Sequence, residues 1–262
     1  MAPGPTSTSP LLIKIGGRAA ERGESLASLA AEMATLSRDN RLILVHGGGA
    51  EVTALSRTLG MEPVFKDGVR QTSPEEMDVV EMVLAGRINK RLVRLLKMRG
   101  LRPVGLSGSD GGIFTGAALG GSEESRTGDV TAVNPGLLEL LTSNGYVPVL
   151  CPTSMDGEGR ALNINADTVA FRLAAGLRAS ALVFLSDIPG VLLDGGVAQA
   201  LSSAEARGLI TRGVITGGMV AKVAASLEAI DQGVQKVIIG QYEGPGSLAR
   251  LLEGKQGTRL WK

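Results

Sequence analysis

This chain offers a single cysteine, Cys151, and a single histidine, His46. One cysteine excludes an intramolecular disulfide and a multi-cysteine metal site. One histidine leaves little for a histidine-based zinc centre or a Ser-His triad. Aromatic residues make up 3% of the sequence against 44% hydrophobic residues, so the core must be aliphatic and rich in alanine. An excess of either charge is also missing, with 27 Lys plus Arg against 26 Asp plus Glu. That balance argues against broad nucleic-acid or membrane-surface binding, which would show a basic excess or stripe, and it confines anion recognition to local sites. No apolar run approaches the roughly 20 residues that span a bilayer. The start of the chain carries Pro3, Pro5 and Pro10 without a basic or apolar leader region, so no signal peptide is read and a cytoplasmic enzyme is expected.

Glycine is abundant instead, and it is placed. Apolar strand-like runs lead into Gly16-Gly17, Gly47-Gly48-Gly49 and Gly217-Gly218. Lys14 lies one residue before the end of the run Leu11–Ile15, and Lys222 falls early in the helix expected after Gly218. Glycines let the backbone approach an anion, and helix-start N–H groups favour negative charge. Such loops, two of them carrying a lysine, describe a clamp on phosphate oxygens. Phosphoryl transfer is the expected chemistry.

A short aliphatic strand, a glycine-bearing turn and an amphipathic helix recur along the chain. Strands are read at Leu11–Ile15, Leu42–Val45, Val104–Leu106, Tyr146–Leu150, Ala181–Leu185 and Lys236–Ile239. Helical spacing marks 26–36, 52–59, 135–142, 165–175 and 219–231. Ser73, Pro74 and Glu76 read as a capping-box start to a long helix reaching about Arg99. The span Ala117–Asp129 breaks the rhythm and reads as a hairpin or surface excursion. Continuous apolar strands alternating with helices imply an α/β fold, a three-layer αβα sandwich with a mostly parallel central sheet and two lobes. Residues 1–10 read as a tail, 11–178 as an N-terminal lobe and 179–262 as a C-terminal lobe, with Gly176–Ser180 as the hinge.

Individual residues carry competing readings. Lys14 sits among apolar neighbours, where an unpaired buried ammonium would cost several kcal/mol, so it faces an anion or reaches solvent past the strand end. His46-Gly47-Gly48-Gly49 follows a strand and opens a helix, a place where ligands bind in open α/β sheets. It lacks both the dinucleotide fingerprint and the phosphate-loop pattern, and His46 reads as structural before catalytic. Arg70 in Asp67-Gly68-Val69-Arg70 suits two-point recognition of a carboxylate, or is a surface arginine. In Asn163-Ile164-Asn165-Ala166-Asp167, Asn165 and Asp167 are either helix caps or ligand groups. Leu185-Ser186-Asp187-Ile188-Pro189-Gly190 and Val214-Ile215-Thr216-Gly217-Gly218 are turns that together could surround a purine nucleotide. Cys151 and Trp261 read as structural.

In this order and spacing, these segments resemble the amino acid kinase superfamily, and within it the acetylglutamate kinases. Further carriers of the resemblance are Glu81-Met82-Val83-Leu84-Ala85-Gly86, Gly105-Leu106-Ser107-Gly108 and Val133-Asn134-Pro135, and it spans Leu12 to Arg259. It implies phosphorylation of the side-chain carboxylate of N-acetyl-L-glutamate by ATP, with Mg2+ carried by the nucleotide and no metal site in the protein. It implies that Lys14 and Lys222 stabilise the phosphoryl group and that Asp167 holds both lysines. Gly48, Gly49, Arg70 and Asn163 would bind substrate. Gly16, Gly17, Asp187, Ile188, Pro189, Gly190, Val191, Leu192, Val214, Ile215 and Thr216 would line the ATP site. Arginine-inhibited members carry an additional N-terminal helix, and its absence before Leu11 implies a homodimer insensitive to arginine; a PII-type regulatory partner is not legible. The competing readings are a kinase acting on carrier-linked 2-aminoadipate or glutamate, a non-catalytic amino-acid sensor on the same fold, and a dinucleotide-dependent oxidoreductase.

Overall fold

The computed structural model describes residues 9–16, 23–66, 68–121, 124–193 and 195–262. Gly17, Asp67 and most of the expected tail lie outside the described residues. The chain opens with β1 (Leu11–Ile15), α1 (Gly23–Leu36), β2 (Leu42–His46) and α2 (Gly49–Thr58), then a small hairpin of β3 (Val64–Lys66) and β4 (Val69–Gln71). One long helix follows, built from α3 (Pro74–Glu81), a π-helical stretch (Met82–Ile88) and α4 (Asn89–Met98). Next come β5 (Pro103–Leu106), β6 (Phe114–Ala118), β7 (Thr127–Val133), α5 (Gly136–Ser143), β8 (Val147–Leu150), β9 (Thr153–Met155), β10 (Ala161–Ile164) and α6 (Ala166–Gly176). The remainder is β11 (Ala181–Ser186), β12 (Leu192–Leu193), β13 (Gly196–Val197), β14 (Ala200–Ser202), α7 (Ser203–Thr211), α8 (Gly218–Asp231), β15 (Lys236–Gln241), α9 (Ser247–Leu252) and β16 (Thr258–Trp261).

The central sheet has the order β14-β16-β15-β11-β1-β2-β8-β5. Only β15 and β16 run antiparallel; the other neighbours are parallel. Successive side chains of a strand point to opposite faces. Leu12 therefore packs with Val169 and Leu173 of α6 and with Val223 and Leu227 of α8. Leu11, Ile13 and Ile15 pack with Leu29 and Met33 of α1, Val80 and Leu84 of the long helix, and Leu248 of α9. Burying each such aliphatic side chain contributes about 2 kcal/mol. The two faces explain why these strands are apolar throughout, and the mostly parallel α/β expectation holds.

A second sheet, β6-β7-β10-β9, is not legible in the apolar rhythm. The span Ala117–Asp129, expected as a hairpin or surface excursion, is the turn of the β6–β7 hairpin, whose strands carry Gly116 and Gly128 and a register shift at Thr115/Gly116. The start of the long helix also differs in part. Ser73 Oγ accepts the Glu76 N–H at 3.2 Å and Pro74 opens the helix, as expected. The Glu76 carboxylate, however, turns inward to Arg70 instead of back to the Ser73 N–H, so no capping box closes.

Candidate active site

Parity along β1 decides where Lys14 points. It shares the face of Leu12, the face covered by α6 and α8, and there it meets a carboxylate. Lys14 Nζ lies 2.6 Å from Asp167 Oδ1, and Lys222 Nζ lies 2.9 Å from Asp167 Oδ2. Asp167 stands in the first turn of α6, whose cap is Asn165; the Asn165 side chain accepts the Asp167 N–H at 2.8 Å. The capping reading therefore holds for Asn165, while the Asp167 side chain is left for the two lysines. Burial, the largest influence, pushes the Asp167 carboxyl up, but the charges and hydrogen bonds of Lys14 and Lys222 outweigh it and hold the carboxyl below its ordinary value. Lys222 also sits 5.2 Å above the ring of Phe184, which is fully buried against Phe171.

Lys14 and Asp167 line a cavity of about 310 Å³ together with Gly16, Gly48, Gly49, Arg70 and Asn163, while Lys222 reaches it only through Asp167. A Cβ on Gly16 would run into the Lys14 ammonium and push it from its present place beside Asp167. A Cβ on Gly48 would strike Ile88 and Leu84 of the π-helical stretch. Asn163 Nδ2 donates to Thr72 Oγ1 at 2.9 Å. Arg70 is not a surface arginine but a buried one. Its Nη1 donates to Glu76 at 2.6 Å, and its Nη2 donates to Gly49 O at 3.0 Å and Thr53 Oγ1 at 2.6 Å. Among the described residues Nε and one Nη1 proton have no partner, so the simple two-point fork of the sequence reading is largely committed to the protein.

His46 is structural. Its Nδ1–H donates to Gly47 O at 2.8 Å, and its Nε2 accepts from Asn89 Nδ2 at 3.2 Å. Burial is the chief cause that lowers its pKa from 6.5 to about 4, so the ring is neutral near pH 7. Because the unfolded chain takes up the proton first, this ring contributes stability above pH 6.5 that is lost as pH falls toward about 4. The full loss is about 3 kcal/mol. Urea midpoints compared at about pH 7.5 and about pH 5 should show about two-thirds of it, and His46→Gln should flatten the difference; an equally steep His46→Gln variant would contradict this origin.

The expected nucleotide loop after β11 leaves the same C-terminal end of the parallel strands as Gly16. Ile15 is in register with Leu185, so Asp187 lies just beyond the strand end next to Gly16. Val191 is buried and its N–H donates to Thr258 Oγ1 at 2.8 Å. Gly190 has a packing reason of its own, since a Cβ there would come within 2.7 Å of Thr258 and Val197. Ile188 is half-buried against the core, Pro189 is exposed and Leu192 opens β12. Val214 is exposed, Ile215 is buried, and Thr216 precedes the Gly217 cap of α8. None of these residues lines the cavity described above. Sequence reasoning missed Glu76, read only as a cap, and Thr53, Ser56 and Asn89, which carry no motif signal.

A model of the amino acid kinase family matches residues 9–241. The chain belongs to the amino acid kinase family. This amino acid kinase is 42% identical over 265 residues to an acetylglutamate kinase of Sorangium cellulosum (strain So ce56), a match covering 95% of this chain and 93% of that protein. It is 42% identical to an acetylglutamate kinase of Synechococcus sp. (strain WH7803), covering 93% of this chain and 84% of that one. A solved structure from Streptococcus mutans UA159 superposes with a TM-score of 0.79 at 27% identity, covering 97% of this kinase and 99% of that chain. Among the described residues no helix is long and apolar enough to cross a membrane.

Proposed function

We propose that this amino acid kinase transfers the γ-phosphoryl group of ATP to the side-chain carboxylate of N-acetyl-L-glutamate, making N-acetyl-L-glutamyl 5-phosphate for arginine synthesis. The observation that carries the reading is one carboxylate, Asp167, that pairs with two lysines and, with Lys14, lines a cavity shared with Arg70 and Asn163. The acetylglutamate kinase names of its relatives support the same substrate. A carboxylate oxygen is already a nucleophile at neutral pH, so no general base is needed, and the buried neutral His46 is no obstacle. The oxygen attacks phosphorus, the bond to ADP breaks, and charge on the transferring oxygens must be neutralised throughout.

Lys14 and Lys222 would supply that neutralisation, with Asp167 keeping both in place. Gly48, Gly49, Arg70 and Asn163 would hold the substrate, and Asp187–Leu192 with Val214–Thr216 would line the nucleotide. The lysine pair and the glycine-loop N–H groups suit a triphosphate, and Mg2+ carried on ATP would add charge at its phosphates. In this reading residues 11–178 form the substrate side and 179–262 the nucleotide side. A homodimer is part of the proposal, supported by the long helix exposing Met82 and Met98 beside the sheet-edge strand β5; sizing chromatography giving a monomer or hexamer would remove it. Nothing favours the carrier-linked kinase or the sensor.

The test is an ATP-dependent hydroxamate assay, which traps acyl phosphates, run on N-acetylglutamate, glutamate, aspartate and 2-aminoadipate. Signal on N-acetylglutamate alone is expected. Silence on all of them would sink the proposal.

A further inference from the structure

One carboxylate ties together three elements around the cavity, and no step of the reaction uses it. Glu76, on α3, is 5% exposed. Its Oε1 accepts from Arg70 Nη1 at 2.6 Å and from Ser56 Oγ at 3.1 Å. Ser56 is on α2, the helix that starts at Gly49, and Arg70 is on β4. The Arg70 guanidinium closes the set through Gly49 O and Thr53 Oγ1, both also from α2. Phe65 of β3 covers the guanidinium at 4.8 Å. A buried arginine side chain has many rotamers and a large desolvation cost; an anchored one has neither freedom nor an orphan charge.

We propose that Glu76 is a positioning residue that holds Arg70 from behind so that its remaining donors face the substrate's α-carboxylate. The inference rests on the N-acetylglutamate reading of the cavity. The anchor is an acceptor at a fixed point, contacted by Arg70 and Ser56 together. Moving that acceptor by one methylene withdraws it from both donors, whereas an amide in the same place keeps an oxygen for them. Charge and position can therefore be separated by two conservative changes. Glu76→Asp keeps the charge and shifts the acceptor; Glu76→Gln keeps the acceptor and removes the charge.

The experiment measures KM and kcat for both substrates in the wild type, Glu76→Asp, Glu76→Gln and Glu76→Leu, with thermal unfolding alongside. Glu76→Asp and Glu76→Leu should raise KM for N-acetylglutamate by about tenfold or more, with KM for ATP and kcat changed less than about threefold. Glu76→Gln should keep KM for N-acetylglutamate within about threefold of wild type while losing thermal stability, because Arg70 then lacks its counter-charge. A purely structural role would lower stability in all of the variants and leave KM alone. If Glu76→Leu does not fold, Glu76→Asp carries the decision, because it retains a carboxylate beside Arg70. A folded Glu76→Asp variant with wild-type KM overturns the proposal by itself. Absence of wild-type turnover on N-acetylglutamate would instead overturn the substrate reading, and this proposal with it.

Discussion

Replacing Lys222 by alanine should lower kcat by about 10²–10³ while KM for N-acetylglutamate moves less than about threefold. That loss corresponds to about 3–4 kcal/mol of transition-state stabilisation. The reason is placement. The Lys222 side chain is 17% exposed, and its ammonium is bound to Asp167 at 2.9 Å and set over the Phe184 ring, so it is held in a site of reduced dielectric where charge counts for more than in water. The charge it would neutralise develops on the oxygens in transit, whereas the proposed substrate-binding groups, Arg70 and Asn163, are other residues of the cavity lining. Steady-state kinetics on folded protein decides the matter. A Lys222→Ala variant with near-normal kcat, or one whose whole loss lies in KM for N-acetylglutamate, would remove Lys222 from the chemistry.

Asp167→Asn should cost at least as much, about 10²–10³ in kcat, although its side chain need not touch the transferring group. Both carboxylate oxygens are used, one for each lysine, at 2.6 and 2.9 Å. An amide of the same shape offers one oxygen, and its NH2 group would face an ammonium donor to donor. At least one lysine must then swing away, and the two positive charges lose what holds them together. KM for ATP should rise as well, because both lysines border the proposed phosphate position. In the wild type the depressed Asp167 carboxyl contributes stability that is present above its unfolded value of 3.8 and is lost as pH falls through the lower folded value. If Asp167→Asn keeps wild-type kcat and KM for ATP, the carboxylate is not what organises the pair.

Much of this architecture is legible in order along the chain because local physics writes it. The apolar runs at Leu11–Ile15, Leu42–Val45 and Ala181–Leu185 are strands buried on both faces, and their shortness, branched residues and flanking glycine turns mark them as strands. The glycine loops, the proline at the start of the long helix and the stop at Gly60 follow from backbone sterics alone. Motif order extended that reading to Lys14, Asp167 and Lys222, which lie far apart in the chain. Their meeting is a tertiary fact: it depends on β11 lying beside β1 and on the strand parity that turns Lys14 toward α6 and α8.

Where side chains choose among partners, the chain order was silent. Glu76 has the spacing of a capping group, and only the arrival of Arg70 from the β3–β4 hairpin draws its carboxylate inward. The π-helical stretch at Met82–Ile88 leaves the periodicity of the long helix readable, yet it sets Leu84 and Ile88 against Gly48. The sheet β6-β7-β10-β9 joins two local hairpins, β6–β7 and β9–β10, through the β7–β10 pairing of segments distant in sequence, so no local pattern announces the whole sheet. Composition and periodicity therefore sufficed for the layers and for the residue types that handle phosphate. Which oxygen each lysine meets, and what holds Arg70 at the cavity wall, was decided only by packing, because those contacts join segments that no short-range spacing relates.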